Sequence, residues 1–287
     1  MIKNKYTKEL IEFSCEVFPP KRNDEMYGIF QTLDDITSLN PDYISVTYGA
    51  GGSNSKKTAK IAAYIQHICE VESLAHLTAV GMDPKSLQAL LKELQIKGIK
   101  RILALRGDRP RTMTEEEYQN RYYKYASDII PEIKKFGDFK LYVACYPEKH
   151  PESLDLDSDI KYLKAKVDLG IDELITQMFF DNGKLYKFMD KIEKAGIHAP
   201  LHAGIMPITK VNQLGTSVSL SGSSVPAKLS RMIAKYSDDP EGMKKAGIEY
   251  AINQIDDLMK HGIKGIHLYS MNKADVTKEI YDSMIGE

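Results

Sequence analysis

The feature that most constrains the fold is a two-residue phrase, glycine then isoleucine, that recurs four times along the chain. Each copy follows a stretch with helical spacing of apolar residues and precedes a short apolar run: Gly98-Ile99, Gly170-Ile171, Gly196-Ile197 and Gly262-Ile263. Glycine adopts at little cost the left-handed backbone conformation that ends a helix. Each phrase therefore predicts a junction between a helix and the strand after it, and the repetition predicts a chain of helix–strand units.

Two of the predicted helices carry clear start signals. Asp83 precedes Pro84 and Asp239 precedes Pro240, which puts a capping carboxylate before a proline at the first helical position. Apolar residues at helical spacing follow both signals: Leu87, Leu90, Leu91 and Leu94 in the first helix, and Ile248, Ile252, Ile255 and Met259 in the second.

Eight apolar runs of strand length separate the helical stretches: FSCEVF, DYISVTY, SLAHLTA, RILALR, KLYVACY, ELITQMFF, LHAGIM and GIHLYSM. Such runs are typical of parallel strands that are covered on both faces. Regular alternation with helices favours parallel pairing through right-handed crossovers. Eight units in 287 residues predict an α/β fold, a single (β/α)8 TIM barrel over residues 1–287 with an extra loop or helix after the seventh strand. An open doubly wound sheet is the alternative.

Composition excludes several classes of protein. With 39 Lys and Arg against 40 Asp and Glu, the chain lacks the basic excess that nucleic acid or an anionic membrane requires. The opening segment MIKNKYTKELIEF mixes charges throughout, and no long uncharged apolar run follows, so we expect a cytoplasmic protein. Cysteine and histidine spacings match no disulfide framework or metal motif, and we expect neither; the residues concerned are Cys15, Cys69, Cys145, His76, His150, His202 and His267.

Polar residues stand where the predicted strands end. Glu16 lies among apolar neighbours, where a carboxyl group either pairs with a cation or takes up a proton, so an ion pair and a general acid are equally supported. His76 alone is more typical of a hydrogen-bonded core histidine, and Arg106 with Asp108 of an ion pair. Six consecutive polar strand ends nevertheless predict a lined pocket at the end of the barrel that carries the chemistry. The long segments after strands four and seven are candidate lids.

Ten phrases in one order resemble the methylenetetrahydrofolate reductases in their short bacterial form, from Phe13 to about Ile280. They are CEVFPP, SVTYGAGG, HLT, LRGD, YASD, YPEKHPE, LKAKVDLG, ITQMFFD, GIMPIT and LYSMNK. The resemblance implies a (β/α)8 barrel that holds FAD and reduces 5,10-methylenetetrahydrofolate to 5-methyltetrahydrofolate with NADH or NADPH. The resemblance also implies that the hydride passes through flavin N5 in a ping-pong sequence. It further implies a homo-oligomer and no regulatory domain, and it leaves open whether a partner subunit supplies the electrons, as in some short members.

The resemblance assigns roles to individual residues. Glu16 is the general acid, Asp108 contacts the flavin and the pterin, and Gln177 contacts the pterin and the nicotinamide. The implied flavin contacts are Thr47, Tyr48, Ala50, His76, Arg106, Gly107, Asp108, Tyr125, Ala126, Tyr146, His150, Asp159 and Lys166. The implied substrate contacts are Gln177, Gln213 and Lys273.

Three departures from the family's pattern affect the expected substrate contacts more than the expected flavin contacts. Cys15 and Val17 stand where the family usually has phenylalanine, and Lys273 stands where it usually has arginine. The loop with Gln213 lacks the usual aromatic residue. Two other readings stay open: a folate-binding methyltransferase barrel, and a non-catalytic or partner-dependent folate-binding subunit. A yellow purified protein would favour the flavoenzyme.

Overall fold

A computed structural model describes residues 1–22, 25–48 and 55–286 of the chain. The strands are short, as in a barrel: β1 (Ile2–Lys3), β2 (Leu10–Val17), β3 (Tyr43–Val46), β4 (Glu72–Thr78), β5 (Arg101–Leu105), β6 (Lys140–Cys145), β7 (Glu173–Thr176), β8 (Leu201–Ile205) and β9 (Gly265–Tyr269).

Helices alternate with these strands. Their bounds are α1 (Met26–Thr37), α2 (Ser55–His67), α3 (Pro84–Ile96), α4 (Glu115–Gln119), α5 (Ala126–Phe136), α6 (Leu156–Val167), α7 (Asn182–Lys194), α8 (Val211–Ser221), α9 (Ala227–Lys235), α10 (Pro240–Lys260) and α11 (Ala274–Ile285). Both predicted start signals are confirmed, since the Asp83 carboxylate accepts a hydrogen bond from Ser86 N at 2.7 Å and that of Asp239 accepts one from Gly242 N at 2.9 Å.

The chain divides into two compact units. Unit A consists of Ser14–Ala144 and Ala165–Glu173. Its strands pair in parallel in chain order, from the end of β2 through β3, β4 and β5 to β6. The core of the unit is apolar side chains of strands and covering helices, and the rings of Tyr43 and Tyr142 pack in it with centroids 5.5 Å apart.

Unit B consists of Met1–Phe13, Cys145–Lys164 and Leu174–Glu287. Strands β7, β8 and β9 pair in parallel, and β1 pairs antiparallel with the start of β2. Glu12 N donates to Lys264 O at 3.0 Å, which joins the start of β2 to the segment that enters β9. A second apolar cluster lies between the loops after β7 and β8 and the helices that follow: Met178, Phe180, Met206, Ile208, Leu229 and Met243.

The strand order confirms the predicted (β/α)8 TIM barrel. The sheet runs from β1 to β9 in chain order, and β2 also pairs with β9, so the eight predicted strands are all present as a parallel series. The four glycine junctions are confirmed as well, because each glycine has a positive φ: +66° at Gly98, +87° at Gly170, +73° at Gly196 and +74° at Gly262. The short antiparallel strand β1 escaped prediction.

Two boundaries differ from the sequence-based expectation. The run ELITQMFF is a strand only as far as Thr176, so Gln177 lies after β7 and not inside it. The seventh predicted strand is β8, because β1 was not predicted. The segment rich in serine and glycine after β8 contains a helix, α8, which Gly222 ends at φ +70°. The expectation of an extra loop or helix here is therefore met by two additional helices, α8 and α9. Among the described residues, no helix combines the length and apolar composition needed to cross a membrane.

Candidate active site

Glu16 and His76 meet at the carboxyl ends of the strands of unit A. Glu16 is the last but one residue of β2 and lies level with Ser45 of β3, which in turn lies level with Leu74 of β4. His76 is two residues further along β4, on the same face as Leu74 because side chains alternate along a strand. Its Nε2 lies 3.4 Å from Glu16 Oε2. The structure thus brings together two residues that the sequence placed on different elements.

The surroundings of Glu16 favour its protonated form. Its side chain is 20% exposed and that of His76 is 7% exposed. Burial raises the pKa of Glu16 above the ordinary range of a glutamate, and the neighbouring His76 opposes that rise. Removal of a carboxylate from water disfavours its ionised form, whereas a nearby positive charge favours it. The pair can therefore hold a proton at a strand end.

The turn after β5 carries Arg106, Gly107 and Asp108. Gly107 has φ +82°, and a Cβ atom there would lie 2.7 Å from the Cβ of Thr78. Only glycine lets the backbone come so close to the end of β4. Arg106 Nε donates to Gly107 O of the same turn at 3.4 Å. Asp108 is exposed.

A second cation stands at the neighbouring strand. Lys166, on α6, donates from Nζ to Ala144 O of β6 at 3.0 Å. Since Ala104 of β5 lies level with Val143 of β6, Arg106 and Lys166 occupy adjacent strand ends of unit A. Two cations beside a glycine turn are a donor set that suits a diphosphate group.

The other predicted flavin contacts of unit A lie at strand ends or helix starts. Thr47 follows β3, and its backbone donates to Val17 O at 3.0 Å; Tyr48 comes next and is partly buried. Tyr125 precedes α5 and is 58% exposed, while Ala126 is buried as the first residue of that helix. Ala50 lies outside the described residues, as do the glycines Gly49, Gly51 and Gly52.

In unit B, three predicted flavin contacts form one cluster after β6. The rings of Tyr146 and His150 meet edge to face with centroids 4.8 Å apart. Asp159 of α6 fixes the turn, since its carboxylate accepts from His150 N at 3.0 Å and from the Ser153 hydroxyl at 2.8 Å. His150 Nδ1 accepts from Glu152 N at 3.1 Å, so its Nε2 carries the hydrogen when the ring is neutral.

Gln177 is held at the end of β7. Its backbone N donates to Cys145 O at 2.7 Å, and its side-chain Oε1 accepts from Met178 N at 2.9 Å. The preceding residue, Thr176, is anchored from β9, because the Tyr269 hydroxyl donates to Thr176 O at 2.7 Å. These bonds set the place of the Gln177 amide and leave its two side-chain donors for a ligand.

Gln213 and Lys273 share one partner, Thr209, in the loop after β8. The Gln213 amide donates to Pro207 O at 2.9 Å and accepts from Thr209 N at 3.1 Å. Lys273 Nζ donates to the Thr209 hydroxyl at 2.6 Å. The two predicted substrate contacts of this region are therefore joined through a single residue.

Sequence reasoning missed two lysines near this loop. Lys210 and Lys244 line, together with Lys273, a cavity of about 650 Å³ in unit B. Lys210 is the residue before α8, a helix whose start the sequence did not reveal. Lys244 lies in the first turns of α10, where the sequence pattern predicts an ordinary solvent-exposed helix residue.

Eight parallel strands with polar side chains at their carboxyl ends define an enzyme of the (β/α)8 barrel class. Comparison with known proteins defines the family within that class. The family model described as methylenetetrahydrofolate reductase matches residues 1–285. The chain belongs to the methylenetetrahydrofolate reductase family, which confirms the resemblance drawn from its motifs.

Individual relatives agree. The chain is 33% identical over 270 residues to the 5,10-methylenetetrahydrofolate reductase of Escherichia coli, with 94% of this chain and 89% of that protein covered. It is 34% identical over 271 residues to methylenetetrahydrofolate reductase (NADH) 1 of Arabidopsis thaliana, of which it spans only 46%. A Clostridium thermocellum protein that binds two copies of 5-methyl-5,6,7,8-tetrahydrofolic acid shares the fold, with a TM-score of 0.65 and 14% identity over 97% of this chain and 95% of that one.

Proposed function

We propose that the protein reduces 5,10-methylenetetrahydrofolate to 5-methyltetrahydrofolate with NADH or NADPH, and that it holds FAD non-covalently as the hydride carrier. The observation that carries the proposal is the partly buried Glu16 at the strand ends of unit A, 3.4 Å from His76, because burial provides a carboxyl group with a raised pKa. Membership of the family supplies the reaction in which such an acid is needed.

The residues of each unit fit a flavin dinucleotide. In unit A, Arg106 and Lys166 supply charge-assisted donors for a diphosphate, and Gly107 allows close approach of the backbone. In unit B, the edge-to-face pair Tyr146 and His150 offers aromatic surface and a ring N–H donor. When bound, FAD supplies the ability to take a hydride from a nicotinamide and to give it to a second substrate.

Glu16 acts as the general acid of the folate step. Opening of the five-membered ring of methylenetetrahydrofolate requires a proton at N10, and the bond from N10 to the bridging carbon then breaks. The resulting iminium carbon accepts the hydride and becomes the methyl group. Partial burial keeps Glu16 protonated at higher pH than a glutamate in water, and His76 orients its carboxyl group.

The remaining residues bind and orient. Gln177 presents its side-chain N–H groups to the pterin and to the nicotinamide in turn, and Asp108 contacts the flavin and the pterin. Lys273 pairs with the carboxylate of the substrate's glutamate, with one hydrogen bond where the family's arginine would make two. Gln213 holds the loop against which that tail lies.

The test separates the two half-reactions under anaerobic conditions. The purified holoprotein is expected to be yellow, and NADH or NADPH bleaches it; methylenetetrahydrofolate then restores the colour. Glu16→Gln still bleaches but does not regain colour with folate. Glu72→Gln is the matched control, because Glu72 starts β4 at the opposite strand end, with Oε2 3.3 Å from Arg101 Nε, and both half-reactions persist in it. Normal reoxidation of Glu16→Gln by folate would remove Glu16 from the mechanism.

The same experiment decides between the flavoenzyme and its alternatives. A colourless protein that binds no added FAD would support a non-catalytic folate-binding subunit instead. A yellow protein that neither nicotinamide bleaches would point to a partner subunit as the electron source. Sedimentation of the holoprotein tests the expected homo-oligomer.

A further inference from the structure

Three consecutive backbone carbonyls after β7, those of residues 178–180, each accept a hydrogen bond from a side chain of a distant element of unit B. Two of these bonds come from α10, and the third comes from the turn that joins α8 to α9. In the third bond the Ser223 hydroxyl donates to Met178 O at 2.6 Å. Met178 is also the residue whose backbone N–H holds the side chain of Gln177, a predicted substrate contact.

Met178 is therefore held on three sides. Its N–H donates to Gln177 Oε1 at 2.9 Å, its carbonyl accepts from Ser223, and its side chain is buried in the apolar cluster of unit B. The planar peptide groups on either side of a residue can turn only about its φ and ψ dihedrals, so hydrogen bonds to both groups fix both angles. The hydroxyl of Ser223 thus helps to fix the N–H that Gln177 Oε1 accepts.

The bond from Met178 N decides which end of the Gln177 amide points away from the backbone of its own loop. A glutamine amide has an acceptor oxygen at one end and two N–H donors at the other. Because Oε1 is occupied by a backbone N–H, the Nε2 donors are the end that is presented to a ligand. A Met178 peptide that could rotate would let the amide turn over and present an acceptor instead.

The turn that carries Ser223 is itself fixed to a second loop. Ser223 is 5% exposed, so its hydrogen bond is shielded from water. Gly222 turns the chain at φ +70°, and a Cβ atom there would lie 3.2 Å from Pro151 Cγ. The Ser224 N–H donates to Glu148 Oε1 at 3.1 Å. Both contacts are made with the loop after β6, which carries two predicted flavin contacts, so Ser223 is anchored independently of the loop that it holds.

We propose that Ser223 is a positioning residue for the reaction: by holding the Met178 carbonyl, it keeps the Gln177 amide turned with its N–H donors toward the pterin and the nicotinamide. This inference rests on the proposed function, in which Gln177 contacts the two substrates in turn. Ser223 acts through Met178 and Gln177 and not through a contact of its own with either substrate. Both half-reactions use the same amide, so both depend on Ser223.

The kinetic test is Ser223→Ala in the holoenzyme. Bleaching by NADH or NADPH and recovery of the colour with methylenetetrahydrofolate are each expected to slow about fivefold, the factor that corresponds to the loss of one hydrogen bond. Tyr250→Phe is the matched control, because it removes a bond of the same length, 2.6 Å, from Phe180 O of the same loop, three residues beyond Gln177. It is expected to lose similar stability in urea and to keep both rates. Unchanged rates in Ser223→Ala would overturn the proposal.

A double-mutant cycle separates positioning from a general loss of structure. In the Gln177→Ala background no side-chain amide is left to position, so Ser223→Ala is expected to slow neither half-reaction further. If Ser223→Ala slows the wild-type protein and Gln177→Ala by the same factor, Ser223 acts on the structure as a whole and the proposal is wrong.

Amide hydrogen exchange gives a readout that needs no turnover. In the purified protein the Met178 N–H is expected to exchange about fivefold faster in Ser223→Ala, again the factor for one hydrogen bond, and at the wild-type rate in Tyr250→Phe. Equal exchange at Met178 in all three proteins would show that Ser223 does not fix this residue. If the wild-type protein fails to reduce folate while exchange follows the expected pattern, the proposed function is wrong and the hold of Ser223 on Met178 stands.

Discussion

Gly247 of α10 is expected to be indispensable for the position of the loop after β8, which contains Ile208 and Thr209, and Gly247→Ala tests this. A Cβ atom there would overlap the carbonyl oxygen of Ile208 and lie 2.7 Å from its carbonyl carbon. Both sides of the contact are backbone, so no side chain can rotate away. Overpacking of this kind costs about 1–3 kcal/mol, while the gain from replacing glycine within a helix is about 1 kcal/mol. Because the added methyl group would overlap rigid backbone, its cost lies toward the upper end of the overpacking range. The free energy of unfolding should therefore fall by about 1–2 kcal/mol in total.

Gly215→Ala is the matched control. Gly215 lies inside α8, is exposed, and has no atom within 4 Å of the place that an added methyl group would take, so the same substitution should stabilise by about 0.5–1 kcal/mol. Urea unfolding measures both variants, and the expected difference between them is about 1.5–3 kcal/mol. Gly247→Ala should also raise the KM for folate, because Ile208 and Thr209 belong to the loop that Gln213 and Lys273 contact. Equal stability of the two variants would refute the close approach of α10 to this loop.

Further predictions concern the acid and the end of β7. Burial raises the pKa of Glu16, and the acid must be protonated to act. The rate of the folate half-reaction should therefore fall as pH rises through that pKa, while the nicotinamide half-reaction keeps its rate. Stopped-flow absorbance at several pH values measures both rates. His76→Gln removes the interaction that lowers this pKa, so the midpoint of the fall should move to higher pH; an unchanged midpoint would separate His76 from the acid. Tyr269→Phe deletes the bond of 2.7 Å to Thr176 O and should lower the free energy of unfolding by about 1 kcal/mol, whereas Tyr162→Phe, at a residue that is 66% exposed, should not.

Local signals in the sequence predicted the fold well. The glycines that end helices, Gly98, Gly170, Gly196 and Gly262, act through their own backbone conformation, so one residue type is enough to reveal each junction. The capping carboxylates Asp83 and Asp239 likewise act within three residues. Together with the eight apolar runs, these local signals predicted the alternation of strands and helices, and with it the barrel.

Burial by distant elements is what the sequence could not reveal. The apolar residues after Thr176 are buried, which favoured a longer strand, but the backbone carbonyls of Phe179 and Phe180 accept from side chains of α10 and not from a neighbouring strand. Tyr250 donates its hydroxyl to Phe180 O at 2.6 Å, and Gln254 Nε2 donates to Phe179 O at 3.0 Å. An apolar run in a loop and one in a strand look alike until the hydrogen-bond partners are known.

Helix α8 shows the reverse case. Its sequence, VNQLGTSVSLS, consists largely of poor helix formers, so local propensity favours a loop. The helix forms because Leu214 and Val218 pack against the apolar cluster of unit B. The start of α8, directly after Lys210, was therefore hidden, and with it the place of Lys210 in the cavity wall.

Gln213 and Lys273 were both predicted as substrate contacts, but their hydrogen bonds suit them to different roles. Gln213 Nε2 has two N–H donors, and its contacts are Pro207 O at 2.9 Å and Met206 Sδ at 3.3 Å; its Oε1 accepts from Thr209 N. Lys273 has three donors and uses one, on the Thr209 hydroxyl. Lys273 can therefore bind a carboxylate without releasing the loop, whereas Gln213 would have to break a bond first. The lysine is suited to direct contact with the substrate, and the glutamine to holding the loop that positions it.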